Sequence, residues 1–320
     1  MPVEIPKEKW TGAIRTVTIG ATADQGGTRT KTITVGGHTT LPFLTFEGEI
    51  PNQPVVAVEI KSRRPDDWSP LLLDTWKDAA NDPGAWAKAA EKAGADMILL
   101  SLLLTDADGN QITAQKAVEV VKAVLGATGL PVAVFGTGQA DVDNDILVAV
   151  AEAAKGERLL LGVCEDKNYR TIVATALANG HLVDSRTPMD VNLAKQLIIL
   201  ISDMGMPLDR IVMDPTTGAL GYGIEYGYSV MERLRVAALQ GDTMTQSPML
   251  VTPGEEAWKA KEAKVGKGVP ESWGDWERRA INWEIVTAMA LVESGADVLV
   301  LRHPESVSAV KAAISDLMGG

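Results

Sequence analysis

The stretch of this sequence best equipped for chemistry is Asp214-Pro-Thr-Thr-Gly-Ala-Leu-Gly-Tyr-Gly-Ile-Glu-Tyr-Gly-Tyr228. It sets four glycines and three tyrosines between an apolar run and a helical pattern. Glycine lets backbone come close to a ligand, and tyrosine offers a flat apolar face with a polar tip. A flexible connection with ordinary packing has the same composition. Gly221-x-Gly223-x-x-x-Gly227 is not the dinucleotide fingerprint, because its spacing is wrong and it does not follow the apolar run directly. A second stretch, Pro253 to Asp275, is long for a connection and holds Lys259, Lys261, Lys264, Lys267 and Trp273, with Trp276 just beyond. Such a loop suits a lid or a protein interface. The alternative is a solvated local helix over Glu255–Lys264 with its own salt pairs.

Other chemistries lack their residues. The three histidines, His38, His181 and His303, are far apart in the chain, and no His/Cys/Asp cluster has metal-ligand spacing. The one cysteine, Cys164, rules out a disulfide framework and an iron–sulfur cluster held by this chain alone. Its place at the end of an apolar run favours buried packing over a reactive thiol. There is no Gly-x-Ser-x-Gly elbow and no Walker A loop; Val265-Gly-Lys-Gly is only a passing likeness. Asp106, Asp166 and Asp214 could meet as paired carboxylates for acid/base work. Equally, each could cap the helix that follows or accept backbone N–H groups in its loop.

The elements that must position these residues alternate strictly. Near-continuous apolar runs occur at Val55–Ile60, Asp96–Leu103, Pro131–Phe135, Leu159–Cys164, His181–Ser185, Arg210–Asp214, Met249–Thr252 and Asp297–Arg302. They read as parallel strands buried on both faces. Helical patterns fill the gaps, among them Asp82–Lys92, Thr113–Val124, Asp141–Ala154, Tyr169–Ala178, Tyr228–Leu239, Glu277–Glu293 and Glu305–Met318. Eight strand–helix units predict an α/β fold, a (β/α)₈ TIM barrel rather than its rival, a doubly wound open sheet. Before it, Ile14–Ile19 and Lys31–Val35 alternate Thr with apolar residues around Gly26-Gly27, which predicts a β-hairpin under the barrel's N-terminal end. The expected division is an extension over 1–50 and a barrel over 51–320.

A barrel builds its site from the loops after its strands. That places Thr137, Asp214, Thr216, Thr252, Arg302 and His303 at the mouth, beside Gly221, Tyr222, Gly223 and Tyr226 of the glycine/tyrosine loop. The net charge of −12 over 320 residues argues against a nucleic acid or anionic membrane partner. The longest apolar stretch, Met97 to Leu104 around Ser101, is too short to cross a bilayer. The N-terminus, with Glu4, Lys7, Glu8 and Lys9, lacks a signal peptide's apolar core, so a cytoplasmic location is expected.

Several segments together resemble a known family. They are Thr45-Phe-Glu-Gly-Glu-Ile-Pro-Asn-Gln-Pro54, Asp67-Trp-Ser69, Asp78-Ala-Ala-Asn-Asp-Pro83, Asp214-Pro-Thr-Thr-Gly-Ala-Leu-Gly-Tyr-Gly223 and Ala280-Ile-Asn-Trp-Glu284. With them the whole chain resembles the small subunit of corrinoid iron–sulfur proteins. The resemblance implies a (β/α)₈ barrel paired with a large corrinoid iron–sulfur subunit. That partner supplies a [4Fe–4S] cluster and a cobalamin domain, and the corrinoid lies where the domain meets the barrel face. It implies carriage of a methyl group from methyltetrahydrofolate, through a methyltransferase, to acetyl-CoA synthase in the reductive acetyl-CoA pathway. The barrel then caps the corrinoid as a non-catalytic or co-catalytic subunit, a role that asks for apolar faces and hydrogen-bonding groups but no acid/base dyad. Two other readings stand beside it. One is a stand-alone pterin-dependent methyltransferase, with Asp106, Asn168 and Asp214 gripping the pterin. The other is a scaffold barrel without a small-molecule site.

Overall fold

The computed structural model describes residues 5–319, so Glu4 of the charged N-terminus lies outside them. Two short strands come first, β1 (Val17–Ile19) and β2 (Ile33–Val35). Then follow β3 (Val55–Lys61), β4 (Met97–Ser101), β5 (Val132–Phe135), β6 (Leu160–Cys164), β7 (Leu182–Arg186), β8 (Ile211–Asp214), β9 (Leu250–Val251) and β10 (Val298–Leu301). The last eight form one parallel sheet in the order β8-β7-β6-β5-β4-β3-β10-β9. A bridge between Met213 and Met249 joins its two ends, with the Met213 N–H donating to the Pro248 carbonyl at 2.9 Å. The sheet therefore closes on itself, and the fold is the expected (β/α)₈ barrel, not the open sheet.

The strands are buried on both faces because each face has its own apolar layer. On β3, Val56, Val58 and Ile60 pack outward against the helices, while Val55 and Ala57 point into the barrel. Met97, Leu99, Ala133, Leu160, Leu182, Val212, Leu250 and Val298 complete the inner layer. The antiparallel β1–β2 pair, in register at Val17↔Val35 and Ile19↔Ile33, closes its lower end. All four of those side chains join the inner core. Burial of a Val or Ile contributes about 1.5–3 kcal/mol. Arg29, buried beside this hairpin, donates to Glu157 at 2.9 Å and to the carbonyls of Thr128 and Leu130 at 2.6 and 3.2 Å. It thus ties the hairpin to the segments that lead into β5 and β6.

The helices are α1 (Pro70–Trp76), α2 (Pro83–Lys92), α3 (Ala114–Ala127), α4 (Ala140–Ala153), α5 (Tyr169–Asn179), α6 (Val191–Asp203), α7 (Ile224–Leu239), α8 (Pro253–Ala257), α9 (Lys261–Lys264), α10 (Trp276–Glu293) and α11 (Pro304–Leu317). Their starts follow local chemistry. Asp82 caps α2 by accepting from the Ala85 N–H at 2.6 Å, with Pro83 in the first turn. Three boundaries differ from the sequence expectation. Helix α1 is too short to show a periodicity, yet it buries Leu72 and Trp76. Helix α7 starts four residues before Tyr228, so Tyr226 and Gly227 are helical. The local helix weighed as one alternative over Glu255–Lys264 is broken into α8 and α9, with Trp258 and Ala260 both buried. Residues two apart do not share a helix face. Among the described residues no helix is long and apolar enough to cross a membrane.

Candidate functional site

The C-terminal ends of the strands open onto one face, and the glycine/tyrosine loop forms part of its rim. The loop is a tight backbone turn. The Ala219 carbonyl accepts from the N–H groups of both Tyr222 (2.8 Å) and Ile224 (3.2 Å). Gly223 has φ of 93°, and a Cβ on Gly218 would meet its carbonyl oxygen at 2.4 Å. These glycines thus bring backbone against backbone, which an L side chain would block. The turn thrusts aromatics outward: Tyr222 is 50% exposed and Tyr226 66%. Tyr222 is anchored at its tip, its hydroxyl donating to Glu262 at 3.1 Å and accepting from the Lys261 N–H at 3.1 Å. So the two loops singled out in the sequence touch each other.

Beneath this rim the barrel mouth is filled by charge pairs. On β3, Glu59 faces inward and accepts from Arg302 Nε (2.6 Å), Lys61 Nζ (2.5 Å) and Ser101 Oγ (2.8 Å). Burial alone would raise its pKa, but Arg302 and Lys61 overcome that and hold it well below the usual carboxylate range. Arg302 also lies 4.6 Å over the Trp68 ring. Four strands around, β7 mirrors the arrangement. Asp214 accepts from Arg186 Nε at 2.7 Å and from the Thr216 N–H at 2.9 Å, and Arg186 covers the Phe135 ring at 5.4 Å. On the same strand, β7, Asp184 is fully buried, and neither of its oxygens has a partner among the described residues. Burial first, then the neighbouring Asp214, pushes its pKa well above the ordinary aspartate value.

The residues expected at the mouth divide into two groups. Gly221, Tyr222 and Tyr226 are exposed, and Thr137, Thr216 and Gly223 are half-buried. The Thr137 hydroxyl and N–H both donate to Asp143, at 2.7 and 2.6 Å, which shapes the loop after β5. Thr216 adopts a left-handed φ of 63°, held by Asp214 and by its own hydroxyl bond to the Thr187 carbonyl at 2.6 Å. A β-branched residue there stores about 1–3 kcal/mol of strain. Asp214, Thr252, Arg302 and His303 are buried. The Thr252 N–H donates to Thr217 at 2.8 Å. His303 caps α11, accepting from the Glu305 N–H at 3.2 Å, and stacks on Trp258 with ring centroids 6.1 Å apart. Burial lowers its pKa to about 4, so it is neutral at ordinary pH.

The three aspartates weighed as an acid/base set have separate local roles. Asp106 accepts from the N–H groups of Asp108 and Asn110 at 3.0 and 2.9 Å. Asp166 is exposed, and Asp214 is held by Arg186. Asn168 bridges the Glu165 N–H and the Val163 carbonyl. Cys164 is buried, and burial raises its pKa, as expected of packing. The residues that sequence reasoning missed are Glu59, Ser101 and Asp184, which lie inside strands rather than after them. Their signal was parity. Glu59-Ile-Lys61 and Asp184-Ser-Arg186 each place an acid and a base two apart, on one face of a strand.

Comparison with known proteins agrees with the family resemblance. Residues 16–313 match the family described as CO dehydrogenase/acetyl-CoA synthase delta subunit. The acetyl-CoA decarbonylase/synthase complex subunit delta of Archaeoglobus fulgidus is 38% identical over 319 residues, covering 98% of this chain and 70% of the relative. Subunit delta 1 of Methanosarcina thermophila is 38% identical over 317 residues, covering 97% of this chain and 72% of that one. Among solved structures, dihydropteroate synthase of Xanthomonas albilineans superposes with a TM-score of 0.58 at 15% identity, over 87% of this chain and 97% of that one. The enzyme of Thermus thermophilus gives 0.55 at 16% identity, over 88% and 99%. At such identities these structures speak to the barrel fold alone. The extent of the family match and the level of identity to its members show that this chain belongs to the CO dehydrogenase/acetyl-CoA synthase delta subunit family.

Proposed function

We propose that the chain is the corrinoid-capping subunit of a methyl-carrying assembly within an acetyl-CoA decarbonylase/synthase complex. Its partner is a large corrinoid iron–sulfur subunit that holds the [4Fe–4S] cluster. The methyl group comes from methyltetrahydrofolate through a methyltransferase and goes on to acetyl-CoA synthase. Cobalamin, when bound, supplies the methyl-carrying chemistry itself. The observation that carries the proposal is a loop of exposed tyrosines on one side of a mouth filled by its own ion pairs. A cap needs a closed apolar face on which a large flat ring can rest, and Tyr222, Tyr226, Gly221 and Gly223 provide one.

The half-buried Thr137 and Thr216, whose hydroxyls donate to Asp143 and to the Thr187 carbonyl, shape the loops beside that face. Asp214, Thr252, Arg302 and His303 serve from below, by holding the loops in place. The sealed mouth also keeps water from rising through the barrel to the covered face. The stand-alone pterin enzyme is less well supported. Asp106, Asn168 and Asp214, which it would need free, all satisfy groups within this chain. The test is to replace Tyr222 and Tyr226 together by Ala in the assembled complex. Corrinoid absorbance per chain should fall while the far-ultraviolet circular dichroism is unchanged; wild-type retention of the corrinoid removes this rim from the site.

A further inference from the structure

The two ion pairs at the mouth leave most of each arginine unused. Arg302, 6% exposed, donates from Nε to Glu59 at 2.6 Å. Arg186 donates from Nε to Asp214 at 2.7 Å. Among the described residues, neither guanidinium donates from its η nitrogens to any group. A guanidinium carries five N–H donors and no acceptor, and it stays charged at any ordinary pH. Each arginine therefore keeps a charged, two-pronged donor free.

Strand parity turns both prongs to the same place. Arg186 shares the inner face of β7 with Leu182, and Arg302 continues the inner face of Val298 and Val300 on β10. Each guanidinium is braced by a ring, Arg302 over Trp68 at 4.6 Å and Arg186 over Phe135 at 5.4 Å. Helix α8 packs directly beside them, since a Cβ on Gly254 would meet the Arg302 backbone nitrogen at 2.9 Å. The next residue, Glu255, lies within electrostatic reach of both guanidiniums. It pairs with Lys259 at 2.8 Å and with neither arginine. The Arg186 side chain is 23% exposed, so the free prongs lie on the solvent side of the ion pairs.

The acids nearby do not compete for these prongs. Glu59 is also held by Lys61 and Ser101, and Glu256 by Lys259. Glu284 accepts from the Arg302 and His303 N–H groups and from Ser306. Asp184 keeps its proton and adds no charge. We infer that the two prongs form a binding site for a small oxyanion, a carboxylate or a phosphate group, gripped between Arg186 and Arg302. Both groups match a guanidinium with paired N–H···O bonds. The arginines are held before the anion arrives, so little ordering entropy is lost on binding. Glu255 sets the affinity, because its carboxylate repels the same anion. The site goes beyond the capping function and does not depend on it.

The test is calorimetric titration of the purified full chain with inorganic phosphate and, separately, with acetate. Sodium chloride at matched ionic strength is the blank. Saturable binding of either oxyanion above that blank is expected, and the tighter of the two names its source. Arg186→Lys keeps a cation beside Asp214 but loses the prong, and should weaken binding about tenfold. Glu255→Gln leaves both arginine pairs intact and should tighten binding severalfold. Circular dichroism confirms that each variant is folded. No binding above the chloride blank overturns the site, and so does a folded Arg186→Lys chain that binds like wild type. If Arg186→Lys does not fold, Glu255→Gln decides alone: binding no tighter than wild type overturns the site.

Discussion

Replacing Asp184 by Asn should make the barrel more stable at neutral pH, by an amount that grows with pH. The carboxyl is fully buried, neither oxygen has a partner among the described residues, and Asp214 lies nearby. Ionising it in the folded state would place an unpaired charge in the barrel interior. Its proton is therefore kept in the folded chain, whereas in the unfolded chain an aspartate releases it with a pKa of about 3.9. The folded pKa is raised, so this group's contribution is fully present below the unfolded pKa. It is lost as pH rises toward the folded one. Over that window wild-type stability falls by about 1.4 kcal/mol per pH unit from this group alone. Asparagine has nearly the same shape and no proton to hold. Urea unfolding of both proteins at a series of pH values from about 4 to 7 isolates the effect as a difference. The variant's advantage should start near zero and climb with pH until the raised folded pKa is reached. Parallel stability curves would mean that Asp184 is charged in the folded state, and the picture of an uncharged acid at the sealed mouth would fail.

Glu59→Gln tests the opposite wall of the mouth. It leaves Arg302 buried without its anion, a change that costs about 3–5 kcal/mol when a buried pair loses one member. The sign with pH is reversed: the folded carboxyl is depressed, so its contribution is present above the unfolded value of about 4.3 and lost as pH falls below it. A variant as stable as wild type at neutral pH would contradict the pairing. Arg279→Ala removes four bonds to loop carbonyls, each worth about 0.5–1.5 kcal/mol net. Amides over residues 262–274 should then lose protection from hydrogen exchange, while those of β3 to β10 keep theirs. Uniform loss across the barrel would show that Arg279 supports the fold rather than the loop.

The barrel was legible because each strand is a short apolar run buried on both faces, and because Gly-stopped helices separate the runs. The site was legible only in outline. The glycine/tyrosine loop stood out by composition, but Gly218 and Gly223 turned out to serve a backbone turn. The side chains it exposes are Tyr222 and Tyr226. Arg302 and His303 sit where strand ends lie, yet both are buried: parity turns Arg302 inward to Glu59, while His303 turns outward to cap α11 and stack on Trp258. Asp184 was hidden by the rule that looks for function after the strands, since it lies within one. The break between α8 and α9 could not be foreseen, because it follows from where Trp258 meets the core, a tertiary fact.

The most direct test of the proposed role is the absorbance spectrum of the chain isolated anaerobically from its host with whatever remains bound to it. The capping function predicts a second subunit in near-equal amount, with corrinoid and iron–sulfur absorption together. A colourless single chain that binds methyltetrahydrofolate on titration would contradict it, and would turn attention to Asp214 and the mouth as a site in its own right.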